Sequence, residues 1–331
     1  MSVWLPTAPC TPRACGTHHG PVAAATVAAV RVVAGLFFVL AGALLSTPVA
    51  LLGAGARDRL TRVWARNVLR VFGLRIRVVG APLPPRGAGV LVVSNHISWL
   101  DIPLLAALFP GRVLAKSEIR QWPVLGGMAA RGGTLFVERE RLRALPETVR
   151  TLATALTEGS RVVVFPEGCT WCGRDQGRFT RAVFQSALDA GAPVRPVRIT
   201  YRTPSGTSSG APAFVGDDTL PASLWRVARA GGLTAEITVL PLIPAGRHAD
   251  RRSLALAAQL AVAGDSATSD TATGGTPATR MPAGDAPAAR TPAGDTSQSA
   301  VASDSANRPS LSVHHCVSSI PAALSSARTP S

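Results

Sequence analysis

The feature that most constrains the fold is a repeated alternation between short apolar runs and longer stretches with a helical pattern. The apolar runs have the length of single strands and span 89–93, 112–115, 134–138, 161–165, 194–199 and 236–243. Helical patterns lie between them at 101–109, 122–131, 143–158 and 178–190. This alternation predicts an α/β fold in which a largely parallel sheet is covered by helices. Ligands bind such sheets at the carboxyl ends of the strands, so we expect functional residues directly after the apolar runs.

The segment Ser94–Asp101 joins the first of these runs to the first helical pattern and contains a histidine and an aspartate. His96 can take a proton from a hydroxyl near neutral pH, and a carboxylate on its other ring nitrogen would hold its tautomer. Five helical residues amount to a net rotation of roughly 140°, so the pair requires His96 before the helix and Asp101 in its first turn. Pro103 agrees, because proline is tolerated in a first helical turn. Taken alone, the pattern favours a simpler interpretation, in which Asp101 or Ser98 caps the helix.

Polar residues also end or follow three other apolar runs. Lys116, the only lysine of the chain, ends one run, Arg139 follows the next, and Glu167 comes shortly after a third. An arginine fork suits a phosphate or carboxylate, a lysine adds a point charge, and Gly168 permits a tight turn beside the glutamate. Surface cations and an ordinary turn glutamate are the alternative interpretations.

Several blocks of this sequence resemble, in the same order, those of the glycerolipid acyltransferases, the 1-acylglycerol-3-phosphate acyltransferase family. The blocks are Asn95–Asp101, Arg112–Ile119 with its lysine, Gly133–Arg139, Val164–Gly168 and Val194–Val197, within a resemblance that covers residues 57 to 245. The resemblance implies that His96 is the catalytic base and that Asp101 orients it.

The same resemblance implies the substrates. A fatty acyl group would move from acyl-CoA or acyl-carrier protein to the free hydroxyl of lysophosphatidate, in phospholipid biosynthesis, with no metal or other cofactor. Lys116, Arg139, Glu167 and Gly168 would bind this lysolipid acceptor.

One block departs from the family pattern. The third block usually continues Gly-Thr-Arg-Ser, whereas here Gly168 is followed by Cys169, Thr170 and Trp171. The expected arginine is absent, and Arg174 or Arg178 could supply the displaced charge. Branches of the family that acylate lyso-ornithine lipid or other lysophospholipids also vary here, so such an acceptor is the alternative to lysophosphatidate.

Two alternatives belong to other functional classes. A non-catalytic membrane scaffold could have the same fold, although the intact His96 and Asp101 argue against it. Gly206–Gly210 fits the G-x-S-x-G pattern of a hydrolase with Ser208 as nucleophile. That pattern requires a strand directly before it and a helix directly after it, whereas this segment is a polar loop, so we do not favour a hydrolase.

The N-terminal part predicts attachment to a membrane. The stretch 32–52 contains 21 residues without a charge, which as a helix measures about 31 Å and is long enough to cross a bilayer. Pro48 and several glycines also allow a hairpin-like helix pair in one leaflet. Arginines interleaved with apolar residues follow at 57, 59, 62, 66 and 70. This pattern predicts a basic amphipathic helix at an anionic membrane surface, with the catalytic domain on the cytoplasmic face of the cell membrane.

Charge and composition complete the domain organisation. The net charge of +15 suits an anionic partner, but no nucleic-acid-binding module is recognisable, so we expect no nucleic-acid partner. The Ala/Thr/Ser/Pro/Gly-rich end cannot bury a core. We therefore predict four parts: a flexible N-terminus (1–20), a membrane-anchoring part (21–73), an acyltransferase domain (74–262) with a closing helix at 248–262, and a disordered tail (263–331).

The cysteines predict reduced thiols. Five of them, an odd number, are scattered at positions 10, 15, 169, 172 and 316. Cys10 and Cys15 with the nearby His18 and His19 fit no standard metal-site spacing, and the C-x-x-C pair that ends at Cys172 lacks a second pair. We therefore expect no metal site.

Overall fold

A seven-stranded sheet forms the centre of the computed structural model, which describes residues 8–82, 87–138 and 141–264. In chain order the strands are β1 Arg75–Gly80, β2 Val90–Ser94, β3 Arg112–Lys116, β4 Leu135–Val137, β5 Arg161–Val164, β6 Val194–Arg202 and β7 Thr234–Val239. Their order across the sheet is β1-β7-β6-β2-β5-β3-β4. Neighbouring strands are parallel except β6 and β7, which confirms the predicted largely parallel sheet.

The flanking helices match most of the predicted helical patterns. They are α1 Pro12–Cys15, α2 Ala25–Ala50, α3 Ala54–Val71, α4 Asp101–Leu108, α5 Leu125–Arg131, α6 Leu145–Thr157, α7 Ala182–Asp189, α8 Leu220–Arg229 and α9 Arg251–Ala263. Short 3₁₀ turns lie at Ser117–Gln121 and Leu142–Ala144. Helix α8 was not predicted, although Thr219 caps it by accepting a hydrogen bond from the Ala222 N–H.

The predicted end of the last strand is wrong. The apolar run 236–243 predicted a strand to Ile243, whereas β7 ends at Val239. Pro241 accounts for the difference, because proline has no N–H to donate to a strand ladder.

Strand β2 shows why these apolar runs become central strands. Its side chains alternate between the two faces of the sheet, with Val90 and Val92 in one hydrophobic cluster and Leu91 and Val93 in the other. All four are buried, and burial of each such side chain contributes about 1.5–3 kcal/mol. A strand that is buried on both faces needs a continuous apolar run, and this is the pattern that the sequence displays.

Helices α2 and α3 pack side by side in opposite directions. The Trp64 indole lies against Gly42 and donates to the carbonyl of Phe38 at 2.9 Å, while the Phe72 ring lies against Gly35. The two glycines leave room for these rings, because a Cβ at either position would lie less than 3.0 Å from them. The predicted apolar and amphipathic helices therefore form one antiparallel hairpin, and α2 itself is continuous.

Helix α2 is not a core helix. It is the one helix in the described part of the chain that is long and apolar enough to cross a bilayer, by length and composition, with a mean hydropathy of 2.3. Only 11% of its most apolar stretch is buried, and Leu36, Phe37 and Leu44 are exposed. Its single charge is satisfied, since the Arg31 guanidinium donates to the carbonyl of Ala228 at the end of α8, at 2.8 Å.

The first described residues are ordered against the domain. Cys10 is buried, and the Gly210 N–H donates to the Thr17 carbonyl at 2.9 Å. The flexible N-terminus predicted for 1–20 is therefore wrong for residues 8–20. Sequence periodicity could not show this, because the segment is held by partners distant in the chain.

Helix α9 closes the described part of the chain. It corresponds to the helix predicted at 248–262, and Asp250 caps it by accepting hydrogen bonds from the N–H groups of Arg252 and Ser253. The predicted disordered tail lies, from residue 265 onward, outside the described residues.

Candidate active site

The turn after β2 brings His96 and Asp101 together. The Nδ1 atom of His96 lies 2.8 Å from Oδ2 of Asp101. His96 precedes α4 and Asp101 is its first residue, which is the arrangement that the spacing required. The carboxylate can only accept, so Nδ1 carries a proton and Nε2 is the basic nitrogen. The imidazole is 19% exposed and Asp101 is fully buried, so His96 is accessible from outside the protein while its partner is not.

Asp101 is satisfied by four hydrogen bonds. Its Oδ2 atom also accepts the backbone N–H groups of Ile97 at 2.6 Å and Ser98 at 2.8 Å. Its Oδ1 atom accepts the hydroxyl of Tyr201 at 2.6 Å. A buried carboxylate is costly without such partners. These bonds fix the position of the carboxylate and hence the orientation of His96.

Two further contacts hold the turn itself. The side-chain amide of Asn95 donates to the carbonyl of Ile199 at 2.9 Å, and its oxygen accepts the Ile199 N–H at 2.8 Å. The Phe165 ring stacks on the imidazole of His96, with centroids 4.0 Å apart and 18° between the planes. The turn is thus fastened to β6 on one side and to the loop after β5 on the other.

Glu167 contacts the catalytic turn from within the protein. It is 1% exposed, its Oε2 accepts the His96 backbone N–H at 2.8 Å, and its Oε1 accepts the Gly177 N–H at 3.1 Å. Burial raises the pKa of its carboxyl from 4.5 to about 8, partly offset by these two hydrogen bonds, and the charge of Asp101 adds to the rise. The predicted contact with an acceptor hydroxyl does not match this geometry, because both oxygens face backbone donors. Glu167 therefore holds the backbone of the turn that carries His96.

The residues after Glu167 make a tight turn that returns to the same site. Gly168 has φ +79°, a left-handed conformation in which glycine is favoured, and its N–H donates to Phe165 at 3.1 Å. The Thr170 hydroxyl donates to the carbonyl of Phe214. The Trp171 N–H donates to the His96 carbonyl at 2.7 Å. Thr170 and Trp171, two of the three residues that depart from the family pattern, thus lie beside the turn after β2.

The structure places one of the two cations predicted to bind the acceptor, Lys116, but does not describe the other, Arg139. Strands β2, β5 and β3 are parallel neighbours, so His96, Glu167 and Lys116 all lie at the carboxyl edge of the sheet. Lys116 stands two strands from β2, a lateral separation of about 10 Å. Arg139 lies outside the described residues.

Comparison with known proteins gives the family. A family model described as acyltransferase matches residues 75–200. The chain is 37% identical over 199 residues to the 1-acyl-sn-glycerol-3-phosphate acyltransferase of Neisseria meningitidis, covering 60% of this chain and 77% of that protein. It is 41% identical over 207 residues to the lyso-ornithine lipid O-acyltransferase of Pseudomonas aeruginosa, covering 62% and 78%. This chain belongs to the glycerolipid acyltransferase family.

A solved structure is also similar. The 1-acyl-sn-glycerophosphate acyltransferase of Thermotoga maritima matches with a TM-score of 0.49 and 19% identity, covering 70% of this chain and 94% of that chain.

One residue of the candidate site carries no recognisable pattern in the sequence. Tyr201 is the only tyrosine of the chain, and it is buried on β6, where it reaches Asp101. Being the only tyrosine is a weak sign that Tyr201 belongs to the site. Its contact with Asp101 depends on β6 lying beside β2, and the sequence pattern does not show the strand order.

Two alternatives raised by the sequence are not supported by the structure. Ser208 is exposed in the loop after β6, and the next helix in the chain, α8, begins only at Leu220, so no nucleophile elbow forms. Arg174, considered as displaced charge for the acceptor, donates instead to the Thr17 hydroxyl oxygen at 2.9 Å.

Proposed function

We propose that this lysolipid acyltransferase moves a fatty acyl group from the thioester of acyl-CoA or acyl-carrier protein to the free hydroxyl of lysophosphatidate. The observation that carries the proposal is the 2.8 Å contact between His96 Nδ1 and Asp101, which leaves Nε2 as the base. Nε2 takes the proton of the acceptor hydroxyl while the hydroxyl oxygen attacks the thioester carbonyl. The thiolate then leaves and takes the proton back from the imidazolium.

Asp101 contributes to this step without touching the substrate. Its negative charge stabilises the imidazolium that forms when His96 takes the proton. The acyl group passes directly between substrates, so no acyl-enzyme is needed. General base catalysis of this kind contributes about 10²–10⁴ in rate.

The helical hairpin supports a location within one leaflet of the membrane. Trp64 of α3 lies beside Gly42, so Arg62 and Arg66, its neighbours on α3, lie at the level of the middle of α2. If α2 crossed the bilayer, these arginines would enter the hydrocarbon, at a cost of about 2.5–3.5 kcal/mol each near its centre. A hairpin lying in the cytoplasmic leaflet avoids that cost, because its arginines reach anionic headgroups.

The same hairpin bears on the active site. The Phe72 ring, directly after α3, packs edge-on against Trp99 of the catalytic turn, with centroids 5.3 Å apart. The Trp99 indole N–H donates to the Ser223 hydroxyl at 3.2 Å. This contact supports a catalytic turn held close to the membrane surface, where a lysolipid presents its hydroxyl.

One observation favours lyso-ornithine lipid as a second candidate acceptor. Thr170 replaces the arginine of the usual third block, and its hydroxyl is used on the Phe214 carbonyl. The loop therefore offers no guanidinium at this position for a phosphate monoester. An acceptor without such a phosphate has less need of one.

A panel of lysolipids tests the proposal. Membranes containing the enzyme would receive labelled acyl-CoA, or labelled acyl-carrier protein, with lysophosphatidate, lyso-ornithine lipid or lysophosphatidylcholine. We expect acylated product with lysophosphatidate, and a loss of about 10²–10⁴ in rate for His96→Ala and Asp101→Asn. His248→Ala, which changes a histidine in the turn before α9, serves as control and should keep full activity. Wild-type rates in His96→Ala would refute the mechanism, and no turnover of any lysolipid would favour a non-catalytic scaffold.

A further inference from the structure

Three cysteine sulfurs that are far apart in sequence meet beneath the loop after β5. The Sγ atoms of Cys10, Cys15 and Cys172 all lie within 4.8 Å of one another and are buried. None of the three is in a disulfide. Cys10 lies two residues before α1, Cys15 is the last residue of α1, and Cys172 ends the C-x-x-C pair. The structure thus joins two cysteine patterns that had each been too incomplete for a metal site.

Backbone N–H groups point at these sulfurs. Cys172 receives hydrogen bonds from the backbone of Arg174 and Asp175, Cys15 from that of Thr11, and Cys10 from that of Cys172. Hydrogen bonds of this kind are the outer shell that stabilises thiolates in metal–sulfur sites. The thiol of Cys10 also donates to Cys172. The donors that would surround bound thiolates are therefore already in contact with the three sulfurs.

We propose that Cys10, Cys15 and Cys172 bind one soft, thiolate-preferring metal ion, such as Zn²⁺ or Cu⁺. Three thiolates are the ligand set that such ions prefer over magnesium or calcium. Zinc–sulfur bonds of about 2.3 Å place tetrahedral thiolates about 3.8 Å apart, so the cluster needs only a small contraction to close on the ion. Binding releases the remaining thiol protons to solvent.

Three thiolates leave the fourth position of a tetrahedral ion to a further ligand. His18, the nearest histidine in sequence to Cys15, does not fill it, because Nδ1 bonds the Ser209 hydroxyl at 2.9 Å and Nε2 lies 3.1 Å from the Pro21 carbonyl. A trigonal Cu⁺ site would need no fourth ligand. Zn²⁺ would therefore need a fourth ligand besides the three thiolates, whereas Cu⁺ would not. Metal analysis can tell the two ions apart.

The ion would hold the N-terminal segment on the loop that contacts the active site. Cys172 follows Trp171, whose N–H donates to the carbonyl of the catalytic His96 at 2.7 Å. In the structure this segment is otherwise tied to the loop by Arg174, which donates to Thr17. A bound metal would bridge the same junction, with two bonds to Cys10 and Cys15 of the segment and one to Cys172 of the loop. The site is therefore structural, and its occupancy is independent of which acceptor the enzyme uses.

Metal analysis of the full-length enzyme tests the proposal. The protein would be purified in detergent under reducing conditions without chelator, stripped, and reloaded with Zn²⁺, Cu⁺ or Co²⁺. We expect one metal ion per chain, and a Co²⁺ absorption spectrum with thiolate-to-metal charge transfer. Cys10→Ser, Cys15→Ser and Cys172→Ser should each weaken binding by more than the about 10–100-fold that loss of an outer-shell partner costs. Cys169→Ser changes a buried cysteine of the same loop outside the cluster and should keep the metal.

Three results would overturn the proposal. In the first, the wild-type protein takes up none of the three metals. In the second, Cys169→Ser loses the metal to the same extent as the cluster variants. In the third, non-reducing peptide mapping of protein purified without oxygen finds a disulfide within the cluster. The Co²⁺ spectrum uses the unaltered chain, so it decides the matter even if a serine variant fails to fold. Proteolysis gives an independent check, because metal should protect the segment 8–20 from cleavage in the wild type and in Cys169→Ser.

Discussion

Tyr201 donates its hydroxyl to Oδ1 of Asp101 at 2.6 Å, across a separation of 100 residues in the chain. Both side chains are buried, and burial with the neighbouring carboxylate raises the pKa of the Tyr201 phenol well above its ordinary value. The phenol therefore stays protonated and remains a donor. His96, Asp101 and Tyr201 form one hydrogen-bonded chain, in which the tyrosine fixes the carboxylate that orients the base.

Tyr201→Phe should lower kcat with little change in the acceptor KM. The substitution removes the donor and leaves a buried carboxylate oxygen unsatisfied, so the free energy of unfolding should fall by about 1.5–3 kcal/mol. Each 1.36 kcal/mol of lost imidazolium stabilisation lowers kcat about tenfold. Ile237→Val, a buried apolar change on β7, is the control and should affect stability alone. An equal kcat loss in both variants would mean that Tyr201 acts only through packing.

The raised pKa of Glu167 predicts how the stability of the protein depends on pH. Its carboxyl has a pKa of about 8 in the folded enzyme against 4.5 ordinarily, so the folded state binds more protons between these values. The stability that this group contributes is present below about pH 4.5 and is lost as the pH rises towards 8. The stability of the wild type relative to Glu167→Gln should therefore fall as the pH rises, by at most about 1.4 kcal/mol per pH unit.

Denaturant unfolding at several pH values measures this difference. Glu167→Gln also loses one acceptor for a backbone N–H, but that loss is the same at every pH and does not affect the slope. Glu147→Gln, an exposed glutamate in the first turn of α6, is the control. A relative stability that rises with pH would show that Glu167 is held as a carboxylate by His96 and Gly177.

The helical hairpin should resist extraction by salt. At roughly 1 M salt the Debye length is about 3 Å, which screens the attraction of the α3 arginines but leaves apolar insertion intact. The full-length enzyme should therefore remain with membranes. Replacing the exposed Leu40 and Leu44 by glutamate should release it, because charged groups then face the acyl chains. Quantitative release of the unaltered enzyme by salt would contradict an embedded α2.

Local features of the active site were predictable from the sequence. Pro103 and the apolar run before Ser94 placed His96 ahead of a helix and Asp101 within its first turn, because strand and helix periods differ in the sequence itself. The shared edge for His96 and Glu167 followed from the geometry of parallel strands.

The remaining contacts depend on which strands become neighbours. Asn95 bonds Ile199 and Asp101 bonds Tyr201 only because β6 lies beside β2, and periodicity carries no information about strand order. The cluster of Cys10 with Cys172 is of the same kind, since its members come from two segments with no regular pattern. Long-range pairing is therefore the part of this fold that a single sequence could not supply.

The loop after Glu167 should determine the acceptor. In the double variant Thr170→Arg with Trp171→Ser, a guanidinium replaces the hydroxyl that donates to Phe214. The backbone N–H at position 171 still donates to His96, so the catalytic turn should be preserved. A charge-assisted hydrogen bond contributes about 1.5–3 kcal/mol. The kcat/KM ratio of lysophosphatidate to lyso-ornithine lipid should thus rise about 10- to 100-fold.

Steady-state kinetics on both acceptors checks this shift, with Thr170→Val as the control because it removes the hydroxyl without adding charge.

Arg139→Ala should raise the KM of lysophosphatidate, since an arginine that holds a phosphate contributes equally in ground and transition states. Arg139→Lys should be impaired as well, because a lysine keeps the charge and loses the paired hydrogen bonds. If the acceptor ratio of the double variant is unchanged and Arg139→Ala raises only the KM of the thioester, these residues face the acyl donor instead.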